Sequence, residues 1–233
     1  MRAILPAIII MIVGIYGRVL ADESWQGALS KMPLGTGVTQ LSRTNAIPVI
    51  LNAFQSNSIV KALIFMPGAA DEFVFLRRAH ARLMTANPSL ADAIMALTNQ
   101  TYIQAKFSPP FLLLYTTQDS LEPINVVKSR SAAAKLKGRT VPGHMVFCDS
   151  NWDYTRRAVA KKLSIEMLPF SNSLDSSHFW PNNFAAYGLT QWELLEAVAL
   201  SGKTTFTLHW LTANFELDMR PGPLPDPSSL PAP

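Results

Sequence analysis

Cysteine is nearly missing from this sequence. Cys148 is the only one in 233 residues, so no disulfide can form within the chain. Charge is sparse, at 15% of residues, with 20 Lys and Arg against 16 Asp and Glu and no block of one sign. A protein that displaces counterions from phosphates needs a clustered basic face. Its lack argues against a nucleic-acid binder, although the overall pI is near 9.3. Glycine-rich phosphate loops are wanting too, because Gly35-Thr36-Gly37 stands before any strand pattern and leads into no helix. The one long apolar run, Ala3 to Tyr16, falls short of the ~20 residues that span a bilayer as a helix. No membrane span is therefore expected in the mature form. What remains is a chain 48% hydrophobic, too apolar for wholesale disorder and long enough for one large domain or two lobes.

The two ends stand apart from the middle. Arg2, the apolar run and Val19-Leu20-Ala21 form the positive, apolar and cleavage regions of a secretory signal peptide over 1–21. Without Arg2 and Arg18 the balance narrows to 18 basic against 16 acidic residues, so the basic pI belongs partly to this segment. Exported chains of oxidising compartments commonly carry disulfides. An exported chain with one cysteine fits the bacterial periplasm or cell surface better. A leader follows over 22–43. At the far end, residues 219–233 form a Pro-rich tail holding six of the 17 prolines, which favours an extended, unpacked arm.

Between the ends, helical and strand patterns alternate, giving an α/β or α+β class. Asn45 caps a helix with Ile47, Ile50, Leu51 and Phe54 on one face, and 59–65 reads as a buried strand. Asp71 starts a helix with Phe73, Leu76, Leu83 and Met84 on one side and Arg77, Arg78 and Arg82 outward. Ser89-x-x-Asp92 is a capping box, followed by strands 101–107 and 111–117 around Pro109-Pro110. The later half repeats this order: a helix over 152–163, a strand over 165–170, a second capping box at Thr190-x-x-Glu193, and strands over 203–210 and 213–217. At an offset of 103, Leu97, Thr101, Ile103, Ala105 and Phe107 align in phase with Leu200, Thr204, Phe206, Leu208 and Trp210. An internal duplication is thus expected, with a first lobe over 44–118, a connecting helix and strand over 119–149, and a second lobe over 150–218.

Two stretches carry possible chemistry. Pro109 to Pro123, with Asp119 after a strand, and Gly143-His144 farther on resemble the acid and histidine turns of the α/β-hydrolase family, and Ile64 to Gly68 resembles its oxyanion loop. That resemblance implies Asp119 and His144 as an acid–base pair. The family sets its nucleophile on a G-x-S-x-G elbow, and this sequence has none. Ser89 caps a helix and Ser108 precedes two prolines, so the pair has no visible nucleophile to activate. His144 and Cys148, on one extended segment, stand roughly 13 Å apart, beyond hydrogen-bond reach, and Cys148 is expected to be buried.

The four histidines form no metal set. His80 is expected in the core, His178 shares only one Asp-x-x-His pair with Asp175, and His209 alternates outward. No metal and no cofactor is expected. The aromatics Phe179, Trp180, Phe184, Tyr187 and Trp192 are denser than one core face requires. Phe179, Trp180 and Trp192, with Arg77, Arg78 and Arg82, are the candidate binding surface. The helix and strand pair over 90–117 is also similar to the short N-terminal modules of envelope secretion and receptor proteins. The expected function is a non-catalytic binding or assembly module that meets another envelope protein. A degenerate α/β-hydrolase-like enzyme using Asp119 and His144 is the alternative.

Overall fold

The computed structural model describes residues 25–42, 44–66, 80–115, 125–127, 130–167, 181–202, 204–210 and 215–221. The sequence folds where its apolar runs are long enough to bury both sides of a strand. Strand β2 (Ala62–Phe65) is buried at all four positions, and β5 (Phe111–Tyr115) at its first four. Strands covered on both faces lose the alternation of a half-exposed strand and become continuous apolar runs. These two pair in parallel, with Ala62 opposite Phe111 and Phe65 opposite Leu114.

Three further strands complete a mixed sheet. β4 (Gln104–Ser108) pairs antiparallel with β5 across the two-residue Pro109–Pro110 connection. β9 (Pro181–Tyr187) runs antiparallel along the other side of β2, and β7 (His144–Asn151) runs antiparallel to β9. The order is β4-β5-β2-β9-β7, so β4 and β7 are the edges. A second sheet has the order β6-β10-β11-β8, from β6 (Asn125–Val127), β10 (Thr204–Trp210), β11 (Phe215–Pro221) and β8 (Glu166–Met167). A third, two-stranded piece pairs β1 (Gln40–Leu41) with β3 (Ala81–Arg82).

Helices cover both faces of the five-stranded sheet. On one face, Leu63, Phe65, Leu112, Leu114 and Ala185 meet Leu29 from the helical residues 25–29, α1 (Ala46–Ala53) and α2 (Leu90–Gln100). On the other face, Ala62, Ile64, Leu113, Phe184 and Ala186 meet α3 (Arg130–Lys137), α4 (Trp152–Leu163) and α5 (Gln191–Ser201). Ile50, Leu51 and Phe54 are fully buried, each burial worth about 1.5–3 kcal/mol. Pro48 is harmless in α1 because a first-turn N–H has no partner within the helix.

Both capping boxes form. The Ser89 hydroxyl accepts from the Asp92 N–H, whose carboxylate accepts from the Ser89 N–H at 2.8 Å. Thr190 and Glu193 do the same at α5. α5 is apolar on almost every side, as a helix surrounded by protein must be. It packs against β2 and β9 on one side and β10 of the second sheet on another. Among the described residues no helix is long and apolar enough to cross a membrane.

Several expectations need correction. The helix expected from Asp71 to Met84 is not one over its last residues, 80–84, and 71–79 lie outside the described residues. Ala81–Arg82 is a strand held by β1, and the Gln100 amide both accepts from the Arg82 N–H and donates to its carbonyl, each at 2.9 Å. Met84 is 93% exposed, and His80 is exposed rather than in the core. The strand expected from Ile59 begins at Ala62. The Asn57 side chain accepts from the N–H groups of Ile59 and Val60 and bends the chain first. Cys148 is only half-buried, on an edge strand. Strands of the 44–118 segment (β2, β4, β5) and of the 150–218 segment (β9) share one sheet.

Candidate functional site

Asp119, Arg77, Arg78, Phe179, Trp180 and His178 lie outside the described residues. So does the oxyanion-like loop beyond Met66. His144 begins β7 opposite Tyr187, one position beyond the Ala62–Ala186 pair. β5, the strand that leads toward Asp119, leaves the opposite end of the sheet. Five residue rises along the strands and three strand spacings across them separate Tyr115 from His144 by about 20 Å. The His144 ring lies 6.4 Å from that of Phe54, a packing neighbour with no acid–base chemistry. The described residues bring His144 together with neither an acid nor a nucleophile.

Trp192 is 5% exposed and presents no face to a partner. Its indole N–H donates to Glu196 at 2.6 Å, and the Lys137 ammonium sits 5.1 Å from its ring centroid. Burial pushes the Glu196 carboxyl above its usual range, only partly offset by the Trp192 hydrogen bond and the Lys137 charge. Phe184 is fully buried and Tyr187 is 41% exposed, so these aromatics divide between core and surface. Arg82 is exposed on β3. The side chain of His209 lies outside the described set. Among the described residues no three metal-binding side chains cluster.

Two places have geometry beyond packing. At the end of the sheet where β2 and β5 finish, the start of β9 buries Asn182 and Asn183. Asn183 accepts from the Asp149 N–H at 2.8 Å, and Asn182 donates to Ser201 at 3.0 Å. Asp149 has a positive φ of 50°, in a bulge that shifts the β7–β9 register between Phe147 and Ser150. These contacts are internal and close the bulged edge.

The opposite edge is different. β4 is an unbroken five-residue strand whose outer side is paired by no other strand among the described residues. Ala105 and Phe107 pack on the α2 side, while Gln104 and Lys106 are exposed. Next to it, on that α2 side, is a solvent-open hollow of about 360 Å3. Trp25 and Gln26, Met95, Thr98 and Asn99 of α2, and Ile103 to Ala105 line it. Unpaired N–H and C=O groups along a flat edge are a template for another strand. A neighbouring concavity can take the side chains of such a strand on one face. The residues of this edge were legible as a strand, and a lysine among half-buried residues is a cue for an edge position. Trp25 and Met95, brought in from other elements, gave no such cue.

Comparison with family models, curated proteins and solved structures finds no match to this chain.

Proposed function

We propose that this chain is exported to the bacterial envelope and acts there by binding another polypeptide, with β4 as the strand to which the partner adds. The reading of 1–21 as a signal peptide supports export, and the scarcity of cysteine supports a periplasmic or surface location. The tail expected from 219 begins later, because Met219, Arg220 and Pro221 pair with β10 as the end of β11. The Pro-rich composition of 222–233 suits an extended arm. One observation carries the binding role. The unbroken β4 edge, paired on its outer side by no strand among the described residues, adjoins a hollow partly lined by Trp25, Met95 and Ile103. Main-chain pairing would supply affinity, and side chains entering the hollow would supply selection. The β7 edge is a poorer template, because its bulge at Asp149 breaks the ladder and twists the strand.

The test is site-specific photocrosslinking in a bacterium that exports the chain. A crosslinking residue at Gln104 should give a discrete adduct with an envelope protein, and one at the exposed Tyr154 of α4 should not. Identical adducts from both positions, or none from Gln104, would count against binding at this edge.

A further inference from the structure

We infer that the β4 edge takes an extended segment in which acidic and apolar residues alternate, its carboxylates beside Lys106 and its apolar side chains toward the hollow. The inference rests on the edge-strand reading above and adds the chemistry of the partner. Lys106 is the only charged residue among those of β4 and those lining the hollow. It is exposed and stands across from the fully buried Leu113, so its stem can lie on apolar surface with the ammonium in water. A strand added beside β4 would place alternate residues on the Gln104–Lys106 face and on the Ala105–Phe107 face. An opposite charge next to Lys106 is favourable, and a like charge directly across is not.

The same charge disfavours a second copy of this chain as occupant. Antiparallel self-pairing centred on a five-residue strand puts Lys106 opposite its own symmetry mate. Shifting the register relieves that clash and gives up paired residues from a strand that has few.

The experiment uses the exported full chain and three fluorescent eight-residue peptides. One alternates Glu and Val, one alternates Lys and Val, and the third is the Glu–Val peptide with alternate backbone amides methylated. Anisotropy should show the Glu–Val peptide binding about five- to tenfold more tightly than the Lys–Val peptide at low salt. High salt should shrink the ratio. Lys106→Glu should invert the order, and Lys161→Glu, an exposed change on α4, should leave it as it was. Circular dichroism checks that both variants keep the fold.

Equal binding of both unmethylated peptides, unmoved by Lys106→Glu and abolished by methylation, would overturn the acidic partner and leave the edge-strand reading intact. Undiminished binding of the methylated peptide, or no binding by any peptide, would overturn both. A dimer in sedimentation that the Glu–Val peptide dissociates would identify the occupant as a second copy and overturn the inference.

Discussion

Arg156 shows how one side chain can depend on its neighbours. It is 3% exposed, lies 5.2 Å from the Trp152 ring, and donates from Nε to Asp153 at 2.7 Å. Its second guanidinium nitrogen contacts the same carboxylate oxygen, and Arg157 holds the other. Burial alone would raise the Asp153 carboxyl. The hydrogen bond and charge of Arg156, reinforced by Arg157, outweigh it and hold the group below its usual range. A depressed carboxyl stabilises the fold above its ordinary pKa, and that contribution is lost as pH falls through the folded value. Asp153→Asn should cost about 1–2 kcal/mol at neutral pH, less than a fully buried pair because Asp153 is partly solvated. Its deficit against the parent in urea melts should narrow in acid. Glu196 has the opposite sign. Its raised carboxyl stabilises the fold when protonated, and that contribution is lost as pH rises through the folded value. Glu196→Gln keeps an acceptor for Trp192, so thermal melts at pH 7 should show no loss. A clear loss at pH 7 would mean that the Lys137 charge outweighs burial. Neither network was legible beforehand, since sequence spacing placed these residues on helices without saying which would be enclosed.

At the scale of elements, local signals were reliable where they act within one turn. Ser89 and Thr190 cap their helices as expected, and α4 spans the expected residues 152–163. Asn45 stands at its N-cap position without a capping hydrogen bond, its Oδ1 accepting instead from the Ser42 N–H at 2.6 Å. Ser89→Ala and Thr190→Ala should each cost about 1 kcal/mol by chemical denaturation, because each removes a hydroxyl that accepts from an N3 amide. Failure was concentrated where distant residues decide. Helical spacing carried the chain through Leu83, whereas β1 and Gln100 make Ala81–Arg82 a strand. Ser164 is another element-scale feature without a sequence cue. It ends α4 with φ of 55°, a left-handed conformation that costs an L-residue more than glycine. Ser164→Gly should stabilise the protein by about 0.5–1 kcal/mol, and a lower thermal midpoint would show that the side chain contributes more than the strain costs.

At the scale of the molecule, the mixed α/β class was legible and the arrangement was not. Element order predicted two lobes, but order does not say which strand lies beside β2. That neighbour is β9, and it comes from the later half. The capping-box helices α2 and α5 are each followed by an antiparallel strand pair, yet α2 lies against the central sheet's own hairpin while α5 lies between two sheets. A fragment ending at residue 118 should therefore give no dispersed amide NMR spectrum, because β2 would lose β9 and one sheet face would lose α3, α4 and α5. A folded fragment would restore two independent lobes. The position of β9 also affects the timing of synthesis. Leu63 and Ile64 leave the ribosome well over a hundred residues before Ala185 and Phe184, the strand mates that flank them in the finished sheet. Until then the middle of the sheet has an open side. Such a chain cannot close early, and a polypeptide that must thread a translocation channel before folding would gain from that delay.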